Sequence, residues 1–313
     1  MRMRRILIVL LCAVLLSARL ARAEEIVFIR EGAVWLSRPD GSGAHALTGA
    51  MDARSPALSP DGARVVFHSG RDEKTGFGTL SILRVADGTV APLSFPYIVG
   101  AEDACFCPDG RSVIFVALRN PREKSVKGFD PMVFADMSVA VAELSTGAVR
   151  HVIVRRNALL DAGHVYAAPC MSPDGRIAYQ ESGDDVSGGI VVLEASGAFI
   201  MRIPPGRDDP KPYRRPSFSA DGRSILCYSP GTSGADADSV LLADLRSGIV
   251  RRLAHGVEPT FADEQTVVFV RRSAGAGGGS DCTVARTELW RVGLARGSVP
   301  VQILAFGENP CRR

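Results

Sequence analysis

A chain of 313 residues with 46% of them in the AVILMFWYC set and 23% charged can bury a large core, which excludes wholesale disorder. Its 32 Gly and 19 Pro make it turn-rich, and aromatics supply only 6%. The formal charge of +3 misleads: the first 23 residues hold five arginines and no acid, and without them 32 Lys+Arg face 34 Asp+Glu. That balance removes the electrostatic case for a nucleic-acid partner.

The N-terminal segment reads as an export signal. A basic start leads into an apolar run from Ile6 to Leu16, then Ala21-Arg22-Ala23, a small-x-small cleavage site. Cleavage is expected after Ala23, leaving residues 24–313 as the mature domain. The run is too short for a membrane span, and no later stretch approaches one. A lipoprotein anchored through Cys12 is disfavoured, because bulky Leu11 precedes the cysteine and the apolar run continues past it.

The mature chain is built on a repeat. Four segments match: Pro56–Gly62, Ala104–Gly110, Pro169–Gly175 and Pro216–Gly222, three of them ending in Pro-Asp-Gly and the fourth in Ala-Asp-Gly. A degenerate fifth runs from Pro259 to Glu264. Each is followed by a β-branched or aromatic run such as Val65-Val66-Phe67, and an Asp-Gly between two such runs is a hairpin signal, since Gly supplies positive φ. A second turn recurs downstream at Gly41, Gly88, Gly147, Gly197, Gly248 and Gly297, with separations of 47, 59, 50, 51 and 49 residues. Six units of this length, each with four short strands, predict an all-β, six-bladed propeller. The first unit begins at Glu24 on what reads as a second strand. Residues 308–313 resemble the start of an innermost strand, so the C-terminal tail is expected to complete blade one and leave no open edge. A Cys282–Cys311 disulfide is one way to staple that closure. Cys105 and Cys170 read as small buried residues beside the channel, or as disulfide partners.

Ser-Pro-Asp-Gly repeats at this spacing resemble the WD40-like repeats of the TolB propeller family, the periplasmic part of the Tol–Pal envelope system. The resemblance covers essentially residues 24–313. It implies the propeller fold and a periplasmic setting. The family's preceding α/β domain has no counterpart in the sequence, so the Tol–Pal role is not carried over.

Propeller topology puts the Asp-Gly turns on one face and the second-to-third-strand loops on the other. The long segments 68–79, 117–138, 180–189, 228–239 and 271–287 all fall on that second face, where function is expected. The residues just ahead of each innermost strand ring the channel mouth there. They supply Arg54, Glu102, Asp103, Arg214, Arg215, Glu258 and Glu308, with His164, Tyr166 and Tyr213 in the neighbouring links. These ten residues are the candidate binding set, able to grip a polar ligand by charge-assisted hydrogen bonds. The competing reading is a rim of solvated charges and packed rings. No nucleophile elbow, zincin motif or phosphate loop occurs, and the five histidines have no ligand spacing, so no catalytic residue, metal or cofactor is expected. The sequence therefore points to an exported, monomeric binding module for a protein or peptide in the cell envelope. An enzyme of hydrolase or lactonase type, working on a small polar substrate at the channel mouth, is the alternative.

Overall fold

The computed structural model describes residues 25–73, 75–125, 131–160, 166–183, 186–204, 212–231, 238–274 and 285–306. These form 23 strands in six antiparallel sheets, one three-stranded and five four-stranded, each running through consecutive strands. Blade one is β1 (Ile26–Arg30), β2 (Ala33–Ser37) and β3 (His45–Ala46); blade two is β4 (Arg54–Leu58), β5 (Arg64–Ser69), β6 (Thr79–Arg84) and β7 (Val90–Leu93). Blade three is β8 (Gly100–Phe106), β9 (Ser112–Lys124), β10 (Met132–Glu143) and β11 (Val149–Leu159). Blade four is β12 (Tyr166–Met171), β13 (Ile177–Gly183), β14 (Val186–Leu193) and β15 (Phe199–Ile203). Blade five is β16 (Arg214–Phe218), β17 (Ser224–Ser229), β18 (Ser239–Asp244) and β19 (Val250–His255); blade six is β20 (Val257–Phe261), β21 (Thr266–Ala274), β22 (Ala285–Gly293) and β23 (Val301–Phe306).

The β-branched runs become the second strands, buried on both faces between neighbouring blades. In β5, Val65 and Phe67 pack toward blade one while Val66 packs toward blade three, as a two-residue strand period requires. One apolar cluster fills each of the six gaps between blades. The gap between blades six and one is filled by Ile26, Phe28, Val268 and Leu289, so packing alone already closes the ring. Blade one holds three strands among the described residues, matching the expected missing innermost strand. Residues 308–313, with Cys311 and Cys282, lie outside the described residues, as does the proposed closure by the tail.

All ten turn glycines have positive φ, from 64° at Gly62 to 91° at Gly197. Around Gly62 the side chains complete the turn: Ser59 Oγ donates to Asp61 Oδ1 (2.5 Å), and that oxygen also accepts from Ala63 N–H (3.0 Å). An arginine just after two of these turns reaches the next blade. Arg64 donates to the Gly110 carbonyl (2.6 Å) and Arg176 to the Gly222 carbonyl (2.7 Å).

Two of the expected long loops need correcting. The described residues of 180–189 all lie in β13 and β14, paired as far out as Gly183 opposite Val186. The segment 117–138 is also mostly not a loop. β9 has 13 residues and β10 has 12, paired as far out as Lys124 opposite Met132, and β11 follows them with 11. Gly100, the first residue of β8, pairs with Leu118, so β9 beyond Leu118 runs past the innermost strand as a projecting ribbon.

Candidate functional site at the channel mouth

Each of the five innermost strands carries the same irregularity. In β4, Arg54 pairs with His68 but Ala57 pairs with Val66, so Ser55 and Pro56 together oppose one residue of β5. The same slip recurs between Glu102 and Cys105, Ala167 and Cys170, Arg214 and Ser217, and Val257 and Thr260. This is a β-bulge, and it accounts for the proline column, since proline inside a sheet is tolerated where the ladder is broken. The residue ahead of that column is left-handed in blades two to six: Ser55 (φ 45°), Asp103 (50°), Ala168 (46°), Arg215 (49°) and Glu258 (52°). Such φ values are uncommon outside glycine and cost of order 1–3 kcal/mol each. The backbone conformation repeats and so belongs to the fold. The side chains it carries are all different, so the fold does not dictate them.

Three of these side chains meet. Ser55 Oγ donates to Asp103 Oδ1 (3.1 Å), and Arg215 Nη2 donates to Ser55 Oγ (3.0 Å) while standing 3.8 Å from Asp103 Oδ1. The Ala168 N–H donates to Asp103 Oδ2 (3.0 Å). Residues of blades two, three, four and five are thereby tied together around the axis. Asp103 is 16% exposed and Arg215 38%. Burial pushes the Asp103 carboxyl upward, but the Arg215 charge and the Ala168 N–H outweigh it and hold the group below the ordinary 3.8.

His68 adjoins this set and had not been singled out from sequence. It shares its side of β5 with Val66, the side turned toward blade three, and pairs in register with Arg54. It is 8% exposed, and its Nδ1 has no hydrogen-bond partner among the described residues. Burial pushes its pKa below 6.5, against the upward pull of Glu102 and Asp103. The only signal in sequence was a histidine ending an otherwise apolar strand.

The other candidates are placed as follows. Arg54 is exposed and turns back on Asp52, its Nη2 lying 3.0 and 3.2 Å from the two carboxylate oxygens. Arg214 and Glu258 are exposed at the mouth, and Glu102 is half-buried. Tyr166 and Tyr213 are enclosed between blades; Tyr166 packs edge-on against Tyr179 with ring centroids 5.4 Å apart, and Tyr213 sits among Ile190, Ile203 and Cys227. Their rings therefore contribute packing where an open binding face had been expected. His164 and Glu308 lie outside the described residues. Sequence reasoning also missed Tyr97, 90% exposed with φ 63° in the link between β7 and β8 on the mouth face, beside exposed Val99.

No three metal-ligating side chains cluster among the described residues. Cys105, Cys107, Cys170 and Cys227 are free, and burial pushes Cys170 and Cys227 up to about 12, which leaves them protonated and unreactive at neutral pH. A separate groove of about 280 Å³, lined by Ser224, Leu242, Asp244, Ser247, Ile249 and Arg251, lies toward the short-turn face, away from this set.

The bladed ring and its axial mouth define the class: a TolB-like six-bladed β-propeller. Among solved structures, TolB from Acinetobacter baumannii superposes with a TM-score of 0.60 at 20% identity, over 86% of this chain and 61% of that one. The chain thus spans less than two thirds of that relative's length. A protein assigned as TolB from Agrobacterium tumefaciens gives 0.59 at 17% identity, covering 85% and 86%. An oligogalacturonate lyase in complex with manganese gives 0.53 at 16%, covering 90% and 74%. At these identities the likeness is one of fold. No protein-family model matches the chain, and no curated protein matches it in sequence. Among the described residues no helix is long and apolar enough to cross a membrane.

Proposed function

We propose that the chain is exported, cleaved after Ala23, and acts in the periplasm as a monomeric module that binds a protein or peptide at the channel mouth and the long-loop face. The observation that carries this reading is the left-handed column, which aims non-repeating side chains at the axis of a repeating scaffold. Exposed Tyr97 and Val99 on the same face add the apolar area typical of protein-binding surfaces. The test is affinity capture from envelope extract, comparing the mature protein with R214A/E258A at the mouth and with R246A on the short-turn face. Loss of the partner with the mouth variant alone is expected. Loss with R246A alone, or equal capture by all three, defeats the reading.

A second reading has one observation in its favour. His68 is a buried imidazole, held neutral, with an open nitrogen near two carboxylates, the surroundings a general base needs. An enzyme of hydrolase or lactonase type is the form it takes. Metal analysis of the purified protein, with turnover assays on small polar esters and lactones, separates it from the binding module: a stoichiometric cation and activity lost in H68Q favour the enzyme.

A further inference from the structure

We infer that the channel mouth and the ribbon beside it dock an acidic peptide segment, whose Asp or Glu carboxylates take up hydrogen-bond donors left open there; this rests on the reading of the mouth as a peptide site. Asp103 accepts from Ser55 and from Ala168 and faces Arg215, and Glu102 and Glu258 each have an interaction of their own. The cations are less fully engaged. Arg215 commits only Nη2, and Arg214 is exposed with no ion pair or hydrogen bond among the described residues.

The ribbon extends the same imbalance outward. Beyond Leu118, β9 carries Arg119, Arg122, Glu123 and Lys124; the facing part of β10 carries Asp136; and β11 carries Arg155 and Arg156. Asp136 is consumed locally, accepting from Asn120 (3.0 Å) and from the Asn157 N–H (3.1 Å) and pairing with Arg122 (3.7 Å). Arg155 and Arg156 are exposed and make no ion pair or hydrogen bond among the described residues. A carboxylate is the planar acceptor that a guanidinium fork fits in two-point contact. A ligand bearing several carboxylates spans mouth and ribbon, which a single small anion does not.

The experiment uses the mature protein and three capped hexapeptides, hexaglutamate, hexalysine and a neutral Gly-Ser sequence, titrated calorimetrically at low salt and at about 0.15 M, where exposed charges are screened beyond ~8 Å. Hexaglutamate is expected to bind and to weaken with salt. R155A/R156A, on the exposed ribbon, should weaken it about threefold per arginine, the size of an exposed charge pair. R214E should weaken it further, with melting unchanged in both variants. Equal binding of the neutral peptide, preference for hexalysine, or full affinity in R155A/R156A overturns the inference. If envelope capture still depends on Arg214 and Glu258 while hexaglutamate fails to bind, the acidic-segment inference falls and the binding module stands. If neither holds, both fall.

Discussion

Arg215 and Ser55 come from blades on opposite sides of the ring, yet Arg215 Nη2 lies 3.0 Å from Ser55 Oγ. The contact crosses the axis and ends on Asp103, 3.1 Å beyond the serine. A largely buried carboxylate is thus satisfied by an arginine that fold geometry alone does not require.

Removing that arginine tests the strut. R215A leaves Asp103 with its Ser55 and Ala168 donors but no facing charge. Because the guanidinium is more than one third exposed, the loss is discounted from the value for a fully buried pair to about 1 kcal/mol. The urea midpoint should fall with unchanged slope, and S55A/R215A should cost little more than R215A, since both act on one network.

Protonation of His68 gives a pH signature. Its folded pKa lies below the ordinary 6.5, so at pH values between the two the unfolded chain takes up a proton that the folded chain refuses. Stability therefore falls as pH drops below about 6.5 and levels off below the folded value. Asp103, depressed from 3.8, keeps its contribution through that window and loses it only at more acid pH. The charges facing His68 are Glu102, Asp103, Arg215 and Arg54. Urea midpoints at pH 8 and 5.5 should differ in the wild type by more than in H68Q; an identical pH response in the two proteins excludes His68 as its source.

Glycine substitutions should separate turn strain from steric clash. At Gly62, φ is 64°, and Val there should cost roughly 1 kcal/mol or more through strain. Gly256, ahead of β20, is more demanding: a Cβ would lie 2.4 Å from the Phe269 ring and 2.7 Å from the Val270 carbonyl oxygen. G256A should therefore lower the melting temperature more than G62A does. The reverse order would show that the blade yields at Phe269.

The ribbon limits which deletions are informative. Removing residues 121–136 would take away paired strand and Asp136, whereas replacing 125–131 by a two-residue turn joins Lys124 to its partner Met132 in register. That variant should melt like the parent. Truncation of residues 308–313, proposed to complete blade one, should lower the melting temperature and promote edge-to-edge association. A truncated protein that melts and sediments like the parent would mean that the packing of Ile26 and Phe28 against blade six suffices.

The blades were legible because turn chemistry and strand period reinforce one another: Gly62 and Val65-Val66-Phe67 state a turn and a buried strand in adjacent residues. The mouth was half legible. Alignment on the proline column found Asp103, Arg215 and Glu258, but the bulge that aims them was not read from those prolines, although a proline inside a strand is itself a bulge signal. For Tyr166 and Tyr213 the sequence leaves interface rings and packed rings both open, and the choice depends on the link folding its rings back between blades. His68 and Tyr97 were missed because burial of one and exposure of the other depend on neighbours far away in sequence.

A binding module of this kind holds its partner at the mouth face. Site-specific photocrosslinking in intact cells tests this, with a photoreactive residue at Arg214 on the mouth or at Ile249, also exposed, on the short-turn face. A discrete protein adduct is expected from position 214 and none from 249. An adduct from 249 with none from 214 would contradict it.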